Sequence, residues 1–503
     1  MPSNFNQPMK TKIIEDFIKH IANTEVSYYL GFGKYDQWPN DNAPPNTNTS
    51  IQSYHYEVQR DLLFGKKIIP DDVAPVTRKI DWRVNTVYEQ YDNTDSSLYY
   101  KNFYVVNSSN RVYKCLYNNN RAPSTIMPEG EIKIGDFTLS DGYKWKYLYS
   151  LSSANIKKFN TLEMIPVFTD PIVSINAKDG AIHACKITNK GSGYVFANGT
   201  VESIINDAEG YQTIFKVSNT TTSDIAGIYN TSTLRVGNGI SYLSGSVISE
   251  YKINTAGRFV FTQFPITDIT ELKFTISPQV KFAGDGDQAF AISEVDPLYG
   301  EIKNVKMISQ GNFYKYCTTT IIANSFYGSG ATSYPIISPK GGHGANTMFE
   351  LGCKTFCISL STSSQDNFPS WYTYRQASLL YNPISATTGN IYKNNTFTNL
   401  TKFTLDSVTG LMPQGEFVQG NSSGATGTLV RMDATTMYLK NVDGNFQTYE
   451  YVQGVNSGER ALITSINNSD IANYSAEVLY YKNMEPISRV GITTEQAKIY
   501  FSI

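Results

Sequence analysis

The sequence carries almost no imbalance of charge. Lys and Arg number 42 and Asp and Glu number 44, which leaves a formal net charge of -2 over 503 residues. A protein that holds nucleic acid needs a surplus of cations to neutralise phosphates, and a tail or linker of like charge needs a block of one sign. Neither is present, so we expect no nucleic-acid partner.

The chain also lacks a long apolar run. No stretch reaches the roughly 18 consecutive apolar residues of a membrane-spanning helix. The first residues hold no basic region followed by an apolar segment, which is the pattern of a secretory leader. We therefore expect no membrane partner and no secretory signal.

Histidine and cysteine, the usual acid–base groups and metal ligands, are scarce. The chain has 4 His and 5 Cys, and an odd number of scattered cysteines does not indicate a disulfide framework. Assembly in a reducing cytoplasm fits this usage better. Packing or surface roles are the favoured interpretation for the histidines, none of which has a second ligand at metal-binding spacing: His20, His55, His183 and His343.

Two local motifs resemble functional sites but lack the required context. In residues 338–346, glycine amides and Lys340 would suit an anion, yet no P-loop strand and helix flank them. A tight turn with positive φ is the favoured interpretation. Cys353 and Cys357 form one CxxxC without the second pair that zinc sites use. We therefore predict no enzyme, no cofactor and no metal.

What the chain has in abundance is tyrosine and phenylalanine, at 36 and 26 residues. Aromatic and β-branched residues favour strands, while the many Asn, Gly and Ser residues favour turns. The composition predicts a mainly β protein: a β-sandwich core with a few flanking helices, plus inserted small β-barrel or sandwich modules. A tyrosine-rich surface also suits permanent association with partners.

Local patterns place several elements. Apolar spacing predicts a helix over 13–21, and a second helix is predicted over 51–64, followed by a strand at 67–70. Further strands are predicted at 27–33, 103–106, 111–116 and 143–149. In the last of these strands, successive side chains point to opposite faces of the sheet. One face is predicted to carry Tyr143, Trp145, Tyr147 and Tyr149, and the other Lys144, Lys146 and Leu148.

Two weak internal repeats lie in the second part of the chain. Residues 187–194 and 308–314 each pair a strand end with a glycine turn and an aromatic residue. Residues 417–425, FVQGNSSGA, recur at 451–459 as YVQGVNSGE. Each copy of the second repeat precedes an apolar strand, which predicts a small barrel or sandwich of hairpins.

These patterns predict four segments. They are a core domain at 1–172, an inserted β-rich region at 173–395, an inserted small β module at 396–475, and C-terminal strands at 476–503 that return to the core. A chain that ends on an apolar strand usually ties that strand into a sheet.

Short motifs follow one another in a characteristic order. They lie at 30–33, Trp38, 43–45, 78–82, 105–107, 112–116, 139–149, 485–487 and 499–501. In this order they resemble the baseplate wedge subunit encoded by gene eight of T-even-type, contractile-tailed phages. The resemblance covers residues 22–170 and 476–503, and the long β-rich insertion at 173–475 sets the chain apart from that shorter family.

The resemblance implies a non-enzymatic structural protein of the virion, placed in the tail baseplate after assembly in the host cytoplasm. It implies a homodimer within each wedge that contacts other baseplate wedge proteins and supports tail-fibre attachment. The alternative is a receptor- or carbohydrate-binding tail spike or fibre protein. The interface or structural landmarks are Phe32, Trp38, Pro44, Trp82, Tyr143, Trp145 and Tyr147; for the three tryptophans, core packing is favoured over interface anchoring.

Overall fold

A computed structural model of the protein describes residues 6–47, 51–206, 213–218, 239–244, 247–253, 259–261, 272–276, 278–296, 299–322, 328–362, 366, 371–488 and 495–503. The described α-helices are α1 (Gln7–Ile21), α2 (Ile51–Asp61), α3 (Ser153–Phe159), α4 (Pro171–Ile175) and α5 (Thr347–Glu350). Short 3-10 turns lie at Pro70–Asp72, Leu98–Tyr100 and Asn119–Arg121.

Strands make up most of the regular structure. The first group is β1 (Tyr28–Gly33), β2 (Leu62–Lys67), β3 (Val73–Arg78), β4 (Tyr104–Val106), β5 (Arg111–Asn118), β6 (Phe137–Thr138), β7 (Tyr143–Ser150), β8 (Met164–Pro166), β9 (Ile182–Ser192) and β10 (Val195–Asn206). The second is β11 (Thr213–Ser218), β12 (Gly239–Ser244), β13 (Val247–Ile253), β14 (Phe259–Phe261), β15 (Leu272–Ile276), β16 (Gln279–Gly284), β17 (Asp287–Asp296), β18 (Glu301–Asn312), β19 (Cys317–Ile322) and β20 (Ser329–Ile337). The third is β21 (Thr355–Thr362), β22 (Thr373–Tyr381), β23 (Thr396–Thr398), β24 (Thr401–Asp406), β25 (Phe417–Gly420), β26 (Thr426–Met432), β27 (Thr436–Asp443), β28 (Tyr451–Gly454), β29 (Arg460–Asn467), β30 (Glu477–Ser488) and β31 (Glu495–Ser502).

The predicted fold class is confirmed. Strands hold 46% of the residues and helices 12%, and the sheets include a closed six-stranded barrel, so the protein is mainly β. Among the described helices, none combines the length and the apolar character needed to cross a membrane.

The chain forms two compact units. Unit 1 comprises Met1–Thr77, Ala154–Pro166 and Cys353–Ile503, and unit 2 comprises Arg78–Ser153 and Val167–Gly352. The four predicted segments group the chain differently, because the predicted core at 1–172 is shared between both units. The cause is long-range strand pairing, in which β22 pairs with β1 and β21 pairs with β3.

Two open sheets of unit 1 each have one of the last two strands of the chain at an edge. One has the order β23-β2-β1-β22-β30, and the other has the order β31-β21-β3-β8. β30 pairs along β22, and β31 pairs along β21 from Thr355↔Ser502 to Thr362↔Glu495. The last residues of the chain therefore complete sheets that also contain strands from its beginning.

The first elements of unit 1 differ from the prediction at their ends. α1 begins at Gln7, earlier than predicted, because Asn6 caps it by accepting from the amide of Met9 and Pro8 suits the first turn. α2 ends at Asp61, and the next residues belong to β2. The predicted strand at 67–70 is wrong, since Pro70 has no amide donor and begins a 3-10 turn.

The predicted small β module contains the closed barrel, with the strand order β24-β27-β26-β25-β28-β29. Its core is apolar and buried, and consists of Phe403, Leu405, Met412, Val418, Leu429, Met437, Leu439, Val452, Ala461 and Ile463. Lys440 on β27 is nearly buried and ties the barrel to the rest of unit 1, with its Nζ 3.0 Å from carboxylate oxygens of both Asp36 and Asp61. Burial opposes the charge on Lys440, yet these two acids raise its pKa above the ordinary lysine value.

The FVQG and YVQG repeats form neighbouring strands of the barrel. β25 and β28 pair antiparallel, with Gln419 opposite Gln453, so the two copies are related by an approximate two-fold axis. Glu450, just before the second copy, accepts hydrogen bonds from the amides of Ser422 and Ser423 in the first turn. Glu416 holds the second turn in the same way.

The two glutamates are buried and accept hydrogen bonds from backbone amides, although the Oε2 of Glu416 has no partner within the described residues. Burial alone would raise the pKa of each, but hydrogen bonds outweigh it and lower both values. The donors are the amide of Gln447 and the opposite turn for Glu450, and the opposite turn for Glu416. A side chain on Gly420 or Gly454 would collide with the carboxylate held there. The same arrangement therefore occurs twice: the glycine of each repeat leaves room for the glutamate that precedes the other repeat.

Unit 2 holds the remaining described sheets. They are a six-stranded sheet (β11-β10-β15-β12-β13-β14), two four-stranded sheets (β18-β17-β16-β19 and β4-β5-β7-β6) and the β20-β9 pair. β7 was predicted to have an aromatic face and a second face of Lys144, Lys146 and Leu148, and on that second face Lys146 and Leu148 are also buried. Lys146 is tolerated there because its ammonium donates to the carbonyl of Gly135, 2.8 Å away.

The first repeat also has a structural basis in unit 2. Gly191 and Gly311 both adopt positive φ, at 64° and 61°, and each is followed three residues later by a buried tyrosine, Tyr194 or Tyr314. A Cβ on either glycine would lie within 2.5 Å of backbone atoms of a neighbouring segment. The glycines thus allow the close approach that lets each tyrosine fold back onto its sheet.

Glu450→Gln is expected to destabilise the barrel by about 1–3 kcal/mol, because the new amide must turn its NH2 group toward N–H donors. The measurement is hydrogen exchange of residues 417–432 in the whole chain. Because the native pKa of Glu450 is lowered, its contribution is complete above the unfolded glutamate pKa of about 4.3 and is lost as the pH falls through the native value.

The matched control is Glu477→Gln, an exposed glutamate at the start of β30. It should leave exchange in the barrel unchanged. Equal exchange in the two variants would contradict the structural role assigned to Glu450.

Candidate functional site

The aromatic landmarks of unit 2 lie in its core. Tyr143, Trp145 and Tyr147 on β7 are at most 1% exposed. The Tyr143 hydroxyl donates to the carbonyl of Ala122, 2.6 Å away, and the rings of Tyr143 and Trp145 stack at 5.6 Å. Trp82 is half-buried. The three β7 side chains stabilise the sheet from within, whereas Trp82 keeps part of its surface exposed.

The landmarks of unit 1 are arranged differently. Phe32 is buried in β1, packed edge-on against Tyr374. Trp38 and Pro44 are half-buried in the loop 34–47 that follows β1. That loop is fixed by a two-pronged ion pair in which Arg375 on β22 donates to both oxygens of the Asp41 carboxylate, at 2.7 and 2.8 Å.

The loop in turn holds the C-terminal strand. The indole Nε1 of Trp38 donates to the carbonyl of Met484 on β30, 3.1 Å away, and Asn483 donates to the carbonyl of Pro45 at 3.0 Å. We call the loop 34–47 together with β30 the terminal junction. It joins motif residues from the beginning and the end of the chain.

Next to these contacts the terminal junction exposes apolar side chains. Leu479, Tyr480 and Ile487 on β30 are 45%, 38% and 40% exposed. β30 is an edge strand, with β22 as its neighbour in the described sheet. β30 carries the usual protection of an edge strand in Lys482, Glu485 and Pro486, and its exposed apolar side chains lie between and beside these residues.

The strongest buried electrostatic feature is an ion pair in unit 2. The Nζ of Lys114 on β5 lies 2.7 Å from the Oε2 of Glu350 on α5, and both side chains are at most 1% exposed. Tyr91 covers the ammonium, with the ring centroid 3.9 Å away. Burial lowers the pKa of Lys114, and Glu350 opposes that shift. A charge buried this deeply requires its partner.

The glycine-rich loop at 338–346 binds carboxylates that belong to the protein itself. Gly344 donates its amide to Glu350 at 2.6 Å, and Gly341 donates its amide to Asp179 at 2.7 Å. Both glycines have positive φ, as the turn interpretation predicted. Lys340 is exposed and is not among the partners of these carboxylates in the described contacts.

Two histidines distant in sequence lie close together. The rings of His183 and His343 are 4.7 Å apart, centroid to centroid, and both are buried. The Nδ1 of His343 lies 3.8 Å from the Glu350 carboxylate and has no hydrogen-bond partner within the described chain. Burial and the nearby charge of Lys114 hold the pKa of His343 well below its usual range, so the ring is neutral at pH 7.

The described residues contain no cluster of three or more His, Cys, Asp or Glu side chains arranged to hold a metal ion. The five cysteines are free thiols, four of them buried. Sequence reasoning missed the pairing of Lys114 with Glu350. The available signal was a lysine inside the apolar strand at 111–116, but nothing local identifies its partner.

No protein-family model matches the chain, and no curated protein matches it either.

Lys114→Met is expected to destabilise unit 2 by about 3–5 kcal/mol, because it leaves the Glu350 carboxylate buried without a cation. Lys114→Met combined with Glu350→Gln should recover part of that loss, since glutamine can still accept from Gly344. Hydrogen exchange of β5 in the whole chain measures both values.

A surface pair provides the control. The Nζ of Lys101 lies 2.6 Å from Asp95, but the lysine side chain is 40% exposed. Lys101→Met should cost less than about 1 kcal/mol. A similar loss for Lys101→Met and Lys114→Met would show that burial does not govern the Lys114 pair.

Proposed function

We propose that the chain is a structural subunit of a phage tail baseplate wedge, which acts by assembling with other wedge proteins. The observation that carries the proposal is the hydrogen bond from Trp38 to Met484 in the terminal junction. The two motif groups that resemble the wedge family lie at opposite ends of the sequence, and they meet there. A chance likeness of short motifs would not require the two groups to pack together.

The terminal junction also supports the mode of action. β30 and β31 are both edge strands of described sheets, and Tyr480 on one packs edge-on against Phe501 on the other at 4.9 Å. Edge strands offer backbone donors and acceptors to a partner, and the exposed apolar side chains of β30 add contact area. We place a partner interface, with a second copy or a neighbouring wedge protein, on this surface.

Sedimentation of the purified chain, alone and mixed with the other tail proteins of its own genome, is expected to show a dimer that enters a defined heteromeric complex. Stepwise burial of complementary surfaces predicts this behaviour. A trimer that ignores those proteins would overturn the proposal and favour a receptor-binding tail protein.

The interface is tested by the double variant Leu479→Lys and Ile487→Lys. It should weaken assembly by roughly 30-fold or more, since burying unpaired charge costs at least about 2 kcal/mol. The control adds the same charge elsewhere in unit 1, through Leu162→Lys and Leu411→Lys, at side chains that are 93% and 63% exposed. Equal assembly by both double variants would remove β30 from the interface.

A further inference from the structure

Unit 2 contains a polar cleft of about 440 Å³ that the assembly role does not use. It lies between the ends of β5 and β7 on one side and β9 and β18 on the other. Its volume falls within the range of sites that bind small ligands. Aromatic lining comes from Tyr117 and Phe137, and polar lining comes from side chains of several types.

One wall of the cleft is an aspartate–histidine pair. The Nδ1 of His183 lies 2.6 Å from the Oδ2 of Asp136, which also accepts from Gln310 at 3.0 Å. Burial lowers the pKa of His183 even though Asp136 opposes the shift, so the ring is neutral at pH 7. With Nδ1–H donated to the carboxylate, Nε2 is left as an acceptor for a ligand.

A second wall contains Tyr117, which lines the cleft while its hydroxyl is turned into the protein. The Tyr117 hydroxyl is buried and makes no hydrogen bond within the described residues. Burial raises the pKa of Tyr117 to about 12, so the phenol keeps its proton.

Beside Tyr117 the chain makes a left-handed turn, with φ of 47° at Asn119, 56° at Asn120 and 66° at Arg121. Such conformations are strained for residues other than glycine and persist where the surrounding structure holds them. The NH2 groups of Asn119 and Asn120 donate to the carbonyls of Asp141 and Lys303. Their side-chain oxygens are left to accept from a ligand.

A second cleft of about 170 Å³ adjoins the first. Asn120 and Lys303 line both, and their 3.0 Å hydrogen bond forms the shared wall. We call the two together the joined cleft. It suits an extended ligand with several similar units better than one compact molecule.

The charges of the joined cleft balance. Four lysines and four carboxylates line it: Lys144, Lys190, Lys303, Lys306, Asp136, Glu294, Asp296 and Glu301. Several are matched within the protein, as in the ion pair between Lys190 and Glu301 at 3.3 Å. An anionic ligand would need a surplus of cations, so the balance favours a neutral ligand rich in donors and acceptors.

We propose that the joined cleft binds a neutral oligosaccharide, whose hydroxyl groups pair with the His183 imidazole and the side-chain amides of Asn119 and Asn120. Saccharide hydroxyls both donate and accept, which matches this mixture of groups. The apolar face of a sugar ring can pack on Phe137 or Tyr117. The proposal does not depend on the wedge role and stands or falls separately from it.

The test uses saturation-transfer NMR on the whole chain with three neutral hexasaccharides: maltohexaose, cellohexaose and chitohexaose. Hyaluronan hexasaccharide and inorganic phosphate serve as anionic probes. Binding of at least one neutral hexasaccharide, and of neither anion, is expected. Binding of the anions alone, or of no hexasaccharide, would overturn the proposal.

Asn120→Gly locates the site. Glycine accepts the positive φ of Asn120, so the variant removes the side chain and keeps the turn. Titration calorimetry should show binding of the positive hexasaccharide weakened by about tenfold, the effect of losing one hydrogen bond. The matched control is Asn110→Gly, at an exposed residue with φ of 59° that does not line either cleft.

Asn110→Gly should bind as the parent protein does. Equal affinity of the two glycine variants would place the saccharide elsewhere and contradict the assignment to the joined cleft. Sedimentation of both variants separates this result from the assembly proposal, since neither substitution lies in the terminal junction.

Discussion

Unit 1 depends on hydrogen bonding between strands that are very distant in sequence. β1, near the start of the chain, pairs along its whole length with β22, from Tyr28↔Tyr381 to Gly33↔Gln376. β22 in turn pairs with β30 near the end. Closing such loops has a large entropic cost, which the ladder and the buried apolar faces must offset together. Without this pairing β30 would not lie beside the loop 34–47, and the hydrogen bonds between the loop and β30 could not form.

The second constraint is that buried charge must be matched. Each unit pairs a lysine of low exposure with carboxylates. In unit 2 the fully buried Lys114 pairs with Glu350, and in unit 1 the nearly buried Lys440 pairs with Asp36 and Asp61. In the barrel, backbone amides replace the cation and stabilise Glu416 and Glu450. In each case the charged group fixes the position of a neighbouring element: a helix, a loop or a turn. Polar groups in this protein therefore specify arrangement, while apolar burial supplies most of the stability.

Two surfaces have different chemical characters and suit different partners. The terminal junction is an edge of sheet with exposed Leu479 and Ile487, which suits another protein. The joined cleft is concave, polar and balanced in charge, which suits an extended hydroxyl-rich ligand. A subunit that assembles through one surface and binds a saccharide at the other would combine structural and recognition roles. The two properties lie in separate units and can be studied independently.

The sequence by itself determined the local features. Tyrosine and phenylalanine content predicted the β class, and the alternation of residues 143–149 predicted β7. The FVQG and YVQG repeats predicted a small barrel or sandwich, and the structure has the barrel. These predictions succeed because strand periodicity and turn preferences depend only on residues that are close together in the sequence. The end of α2 was not predicted, because pairing of β2 with β1 takes over at Leu62.

Only the tertiary structure decided which distant segments meet. It paired β21 and β22 with the N-terminal strands and buried Lys146 of β7. It also joined Lys114 to Glu350 and brought His183 beside both Asp136 and His343. No local pattern encodes these choices, because each depends on a partner tens to hundreds of residues away. A buried lysine or histidine in a strand indicates that a partner is needed, and the fold alone identifies it.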